Sequence, residues 1–243
     1  MIPTLLTLIL ATPPNAFVFP PDVTVKVAVE CDSPKLTIIH IRDWHFVDKE
    51  RFTLDVRDES ESELSDANVD ELFEEHRATV AKVQKRQKRL IKKLVKGLEI
   101  KQVFQEGLTA EQLPAYQKRI AIFKNFKPYL PTGDSPLDQF TRHEYQTDML
   151  LIGALGQLLI DDHIKSIAPA EDAKAYKAAN PVKPDGTIVF DEKVGEAREN
   201  AIVRNLMKAS GTAVIVLGGA HDLSDNVSAG VQLVEVTVKA YPK

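Results

Sequence analysis

The chain has 243 residues with a formal net charge of -4, 44% hydrophobic and 27% charged residues. This length suits one large domain or two small ones, and the composition is that of an ordinary globular protein. A single cysteine, Cys31, rules out an internal disulfide and a cysteine metal cluster, and the acidic balance supplies no reason to expect a nucleic-acid partner.

The first elements follow from local patterning. Thr4–Ala11 is a short apolar stretch followed by Thr-Pro-Pro-Asn-Ala. It resembles the core of a secretory signal with a small-residue site near Ala16, although no Lys or Arg precedes it. Residues 1–20 are therefore read as a signal or a flexible N-terminus, and 21–243 as one domain. A signal would make the protein secreted or periplasmic; otherwise it is cytoplasmic. The stretch is too short for a membrane-spanning helix. Val23–Val29 alternates valine with Thr24, Lys26 and Ala28, which predicts a half-buried strand. Lys35–Ile41 reads as a second strand running into Arg42-Asp-Trp-His45. Asp55–Glu63 is acidic and reads as a loop.

Ser65 or Asp66 can cap a long amphipathic helix ending near Gly97, acidic toward its start and basic toward its end, as the helix dipole favours. Its basic half reads as a solvated face, since no interleaved aromatics support a nucleic-acid surface. Ile100–Gln105 predicts a strand ending at Glu106-Gly107. Thr109-Ala-Glu-Gln112 predicts a capping box for a helix to about Phe126. Pro128–Pro136 is a loop, and Pro136 opens a helix to about Ile160 with Gly153, Gly156 and Gln157 in a buried apolar block. Ile164–Ala168 predicts a short strand, followed by Asp172 and a small helix. Pro181–Gly186 is a loop, and Glu192–Lys208 is helical. Thr212-Ala-Val-Ile-Val-Leu-Gly-Gly-Ala-His221 reads as a buried parallel strand whose glycines let the chain turn into a histidine. Val231–Val238 is the last strand. The order implies a single α/β domain with a mixed, largely parallel sheet flanked by helices.

Three strands thus end in a residue capable of metal or acid–base chemistry: His45, Glu106 and His221. In open α/β sheets ligands bind at the carboxyl ends of the strands. Two histidines and a carboxylate form a ligand set for a catalytic divalent metal with open positions for water. Asp43, Asp172 and Asp222 lie close enough in sequence to ligate or to orient the histidines. Each residue also has an ordinary reading: His45 a packed loop residue, Glu106 a helix cap, His221 a tight-turn histidine. Arg198 and Arg204 lie on the preceding helix six apart, so one of them points over the rim and the other to the surface. His40 reads as a core or sheet-face histidine, and His76, His143 and His163 as structural or exposed. The nucleophile-elbow, phosphate-loop and dinucleotide motifs are absent from the sequence, and Cys31 sits at a turn unsuited to a nucleophile.

Gly218-Gly-Ala-His221, Val103-Phe-Gln-Glu106 and Arg198-Glu-Asn resemble the motifs of the superfamily comprising the TraB/PrgY proteins, the TIKI metalloproteases, the erythromycin esterases and the ChaN-like haem-binding proteins. Arg42-Asp-Trp-His45 departs from the early motif of that group by lacking its glycine. The resemblance implies an α/β core with His45, Glu106 and His221 in the active cleft. It implies a hydrolase of the peptidase or esterase class acting on a peptide or small molecule. His45, Glu106 and Arg198 would be catalytic, with Glu106 as general base or ligand and Arg198 steadying the oxyanion or anchoring a substrate carboxylate. His45, His221 and Glu106 would be ligands of a divalent ion such as Mn, Co or Zn, or His45 would activate water directly. The ChaN-like branch implies haem or iron binding instead, with Tyr116, Tyr129 and Tyr145 as candidate ligands. A catalytically silent scaffold is the remaining expectation.

Overall fold

The computed structural model describes residues 9–10, 17–60, 64–100, 102–181, 187 and 189–242. Most of the apolar stretch read as a signal, Ala16, and most of the Pro181–Gly186 loop lie outside these residues. The two-residue strands β1 (Ile9–Leu10) and β2 (Phe17–Val18) pair antiparallel. β3 (Val23–Val29) follows, then β4 (Leu36–Asp43). The helix α1 (Lys49–Glu59) corrects the loop expected from Asp55 onward. Its Asp48 cap accepts from Arg51 N, and Arg51 pairs with Asp55 one turn later, so the acidic residues serve a helix.

α2 (Asp66–Gly97) begins at the expected cap, Ser65, whose side chain accepts from Asn68 N. β5 (Val103–Thr109) runs past Glu106. The reciprocal bonds expected of a capping box form, Thr109 N to Gln112 Oε1 and Gln112 N to Thr109 Oγ1, but in the turn between β5 and α3 (Leu113–Phe126), whose own N-cap is Gln112 with no side-chain cap bond. α4 (Pro136–Ile160) breaks at Gly153, where φ is 77°. The break frees the carbonyls of Met149 and Leu150, and the side chains of Gln157 and Gln84 take them at 2.7 and 2.9 Å. Two glutamines inside an apolar interface are thereby explained, since buried carbonyls need donors.

β6 (Ile167–Glu171) starts three residues later than expected and carries Pro169 in its middle. A proline reads as a strand stop, but β6 is an edge strand and tolerates it. α5 (Ala173–Ala178), α6 (Glu192–Leu206), β7 (Gly211–Gly218) and β8 (Val231–Val238) complete the chain.

The main sheet has the order β3-β8-β4-β7-β5-β6. Only the edge strand β3 runs antiparallel; its neighbours are parallel throughout. β4 and β7 lie inside and are buried on both faces, as their unbroken apolar runs require. One face carries α2 and α4, whose Val83, Leu90, Ile91, Leu94, Leu155 and Leu158 cover Ile39, Ile41, Val214 and Val216. The other face carries α6, whose Ile202, Val203 and Leu206 cover Ile38, Ile215 and Leu217. The chain goes from β4 to β5 to β6 and then returns to fill the place between β4 and β5 with β7. The carboxyl ends of β4, β7 and β5 therefore meet at one rim. Among the described residues no helix is long and apolar enough to cross a membrane.

Gln84→Met keeps the volume but leaves the Leu150 carbonyl without its donor. A denaturant titration is expected to show a loss of about 1–3 kcal/mol of unfolding free energy; an unchanged midpoint would contradict the role given to Gln84.

Candidate active site

β4 delivers Asp43 at its last position, and His45 lies two residues beyond. β5 delivers Glu106 within a register irregularity between Gln105 and Thr109, where Gly107 adopts φ 70°. Such a bulge re-aims the side chain beside it. β7 ends at Gly218, and a turn closed by His221 N on Gly218 O brings in His221. α6 leans over the rim with Arg198 and Glu199.

These residues form one connected set. His45 Nδ1 lies 3.2 Å from Asp43 Oδ2, and its Nε2 3.0 Å from Glu106 Oε2. His221 Nε2 lies 3.3 Å from Glu106 Oε1, and its Nδ1 2.8 Å from Glu199 Oε1. Carboxylates and imidazoles thus alternate: Asp43, His45, Glu106, His221, Glu199. Glu106 also accepts from Gly218 N at 2.6 Å and from Arg198 at 3.0 Å. Arg198 in turn donates twice to Glu171, at 3.2 and 2.5 Å, and lies over the Tyr176 ring. Its remaining terminal nitrogen is 3.3 Å from His221 Nε2. That imidazole nitrogen donates to Glu106 when protonated and accepts from Arg198 when bare, so the tautomer decides which contact is a hydrogen bond.

Gly218 and Gly219 serve by absence of a side chain, not by a special turn, for neither has positive φ. A Cβ on Gly218 would stand 2.9 Å from His45 Nε2 and 3.4 Å from Glu106 Oε2; one on Gly219 would overlap the Tyr241 hydroxyl. Arg42 donates to the Gly219 carbonyl and so ties the β4 end to the β7 turn. Gln87 of α2 holds Asp43 Oδ1 at 2.8 Å and the Arg42 carbonyl at 3.1 Å.

The electrostatics follow from this contact map. Hydrogen bonds to Asp43 and then Glu106 raise the His45 pKa from 6.5 to about 10. Burial of Glu106 would push its carboxyl upward, but hydrogen bonds from His221 and His45 outweigh it and hold the pKa well below the usual range. Burial depresses His221, yet Glu106 and Glu199 bring its pKa above the ordinary value. His45 is the group that meets solvent, its side chain 52% exposed against 11% for Glu106.

A cleft of about 760 Å3 opens at His45, Glu106 and Arg198, and is otherwise lined by Gln105, Thr109, Gln112, Tyr176, Lys177 and Asn180 among others. His221 stands behind it.

As arranged, the donors do not fit a resident divalent ion. Each imidazole nitrogen of His45 and His221 is turned into a carboxylate, and the Arg198 guanidinium occupies the middle of the set, where it would repel a cation. Among the described residues no group of three or more His, Cys, Asp or Glu side chains is arranged to hold a metal.

The structure thus brings together His45, Glu106, His221 and Arg198, with Asp43. It separates the other two aspartates: Asp172 caps α5, and Asp222 accepts from Ser224 N. Arg204 is exposed. His40 is buried with Nε2 on the Leu217 carbonyl; His76 packs against Phe46 and Phe52; His143 meets Arg77; His163 is exposed. Tyr116 meets the Ile152 carbonyl, Tyr145 packs on Phe123 and Phe126, and Tyr129 is exposed, so these three do not line the cleft. Glu171, Glu199, Gln87 and Tyr176 join the site without having been singled out from sequence. Pro169 hid the strand that ends at Glu171. Glu199 stands beside Arg198 in sequence, where its carboxylate was a readable signal. Comparison with known proteins gives no matching family model, no matching curated protein and no matching solved structure.

The shifts set a stability profile. The raised His45 pKa contributes stability that is full below 6.5 and is lost as pH rises through about 10. The depressed Glu106 pKa contributes stability that is full above 4.5 and is lost as pH falls through its lowered value. Thermal melts across pH are expected to show the highest Tm between about 4.5 and 6.5, with an alkaline decline that flattens in His45→Gln. An alkaline limb identical in the variant would contradict the assignment.

Proposed function

We propose that the protein is a hydrolase that activates a water against an ester or amide carbonyl, with His45 as the base and no resident metal. The observation that carries this reading is the convergence of His45, Glu106, His221 and Arg198 in one hydrogen-bonded set that opens on the cleft. The resemblance of the same residues to the esterase and protease motifs adds to it.

In the competent state His45 is neutral, with Nδ1–H donated to Asp43, which fixes the tautomer as an aspartate does in a catalytic triad. Loss of the Nε2 proton releases that nitrogen from its contact with Glu106, and the bare Nε2 then takes a proton from a water in the cleft as the water oxygen attacks the carbonyl carbon. The carbonyl electron pair moves to oxygen, and the positive field of Arg198 favours that developing charge. As the tetrahedral intermediate collapses, His45 returns the proton to the leaving oxygen or nitrogen, so that an alcohol or an amine departs. Glu106 stabilises the imidazolium between the two transfers through the contact already present at 3.0 Å. Glu171 keeps Arg198 in place, and Glu199 keeps His221 in place.

Because His45 carries its proton up to about pH 10, the base is scarce at neutral pH. With a panel of esters and short peptides, kcat/KM is expected to rise with pH by about tenfold per unit and to level near pH 10. Asp43→Asn removes the largest cause of the raised pKa and moves that rise to lower pH. Glu106→Gln or His45→Ala is expected to lose about 10²–10⁴-fold in rate. A His45→Ala protein with full activity, or a panel without a single substrate, would refute the reading. Metal content of the purified protein separates the two versions of water activation: a stoichiometric ion that His221→Ala loses would restore the metal version.

A further inference from the structure

A second cleft of about 630 Å3 lies on the opposite flank of the same rim, over the ends of β3 and β8. Two aromatic rings are among the side chains that line it. Trp44 stands edge to face with Tyr241 at a centroid distance of 5.7 Å, and the Arg42 guanidinium lies 5.4 Å from the centre of the Tyr241 ring. Its border is polar, with Asp22, Thr237 and Lys239. Trp44 is 37% exposed although it is the largest apolar side chain in the protein. Trp44 lines this cleft and the next residue, His45, lines the first. The two clefts therefore flank adjacent backbone positions, about 3.8 Å apart at Cα. β4 lies inside the sheet, with β8 and β3 to one side and β7, β5 and β6 to the other, so a ligand crossing the β4 end reaches both.

We propose that this second cleft is a saccharide subsite, which holds a pyranose ring of an extended substrate whose reacting bond lies at His45. Small-ligand sites combine aromatic lining with a few placed polar groups and measure ~300–1,000 Å3, which describes this cleft. The combination selects the ligand class. An all-carbon ring would cover the aromatic rings but strip water from Asp22, Lys239 and Thr237 without replacing it, which is costly for charged groups. A pyranose presents an apolar face of ring C–H bonds to the aromatics, while its hydroxyls pair with the carboxylate, the ammonium and the hydroxyl around the border. The Arg42–Tyr241–Trp44 stack also leans on the site itself. Arg42 holds the Gly219 carbonyl, and the Tyr241 hydroxyl fills the space a Gly219 side chain would take.

The link to a substrate rests on the hydrolase reading, but occupancy of the subsite is measured without turnover. Trp44 is the only tryptophan in the chain, so emission of the full protein excited at the red edge of its absorption, where tyrosine does not absorb, reports on Trp44. Titration with maltotriose, cellotriose and chitotriose is expected to give a saturable change in emission with at least one of them. Tyr241→Ala and, as a substitution at the border that leaves the Gly219 turn intact, Asp22→Ala are each expected to weaken that binding by about tenfold or more. The proposal falls if no trisaccharide changes the emission, if neither variant weakens binding, or if phenol and indole saturate the site where no saccharide does. Saccharide binding in a protein that hydrolyses nothing would overturn the hydrolase reading alone; hydrolysis of simple esters without saccharide binding would overturn the subsite alone.

Discussion

A buried carboxylate needs partners, and Glu106 collects them from four directions. Its two oxygens accept from the Gly218 amide, His45, His221 and Arg198. Left alone at this depth the charge would be strongly destabilising, and removal of a single partner of a buried ion pair is already costly. The carboxylate is therefore a junction where β4, β5, β7 and α6 must be in register together. The protonation of the two histidines follows from the same junction. Each is held between two carboxylates, so each carries its proton more firmly than a free imidazole.

The surrounding structure keeps that junction in place. Parallel pairing of β4 with β7 sets Asp43 opposite Gly218, and the missing side chain at Gly218 lets the His45 ring and the Glu106 carboxylate come together over it. Gln87 reaches from α2 to fix Asp43, and Arg42 ties the end of β4 to the Gly219 carbonyl. Arg42 stands three residues before His45, near the end of β4. It spans the gap between strands and builds the Tyr241 stack on the far flank. The rim thus has two flanks with different chemistry: a polar, acid–base side at His45 and an aromatic side at Trp44.

Elements with a strong local signal were legible. The Ser65 cap and the span of α4 depend on neighbours in sequence, and the structure has them where the pattern puts them. Elements whose reading depends on their neighbours in space were less so. Acidity suggested a loop where Asp48 caps α1 and Arg51 pairs with Asp55. Pro169 suggested the end of a strand that continues to Glu171 because it lies at the sheet edge.

The site divides along the same line. His45, Glu106 and His221 stand out in the sequence because an apolar run ending in a polar residue marks the end of a buried strand, and parallel strands share an end. By itself the sequence thus determined the α/β architecture and the three residues offered to one rim. Which aspartate would join them, that Glu171 and Glu199 would hold Arg198 and His221, and that the Arg198 guanidinium would reach both Glu106 and His221 were decided only by tertiary structure. Strand order brings Glu106 and Gly218, 112 positions apart, to 2.6 Å, and hydrogen bonding depends on that distance and not on separation along the chain.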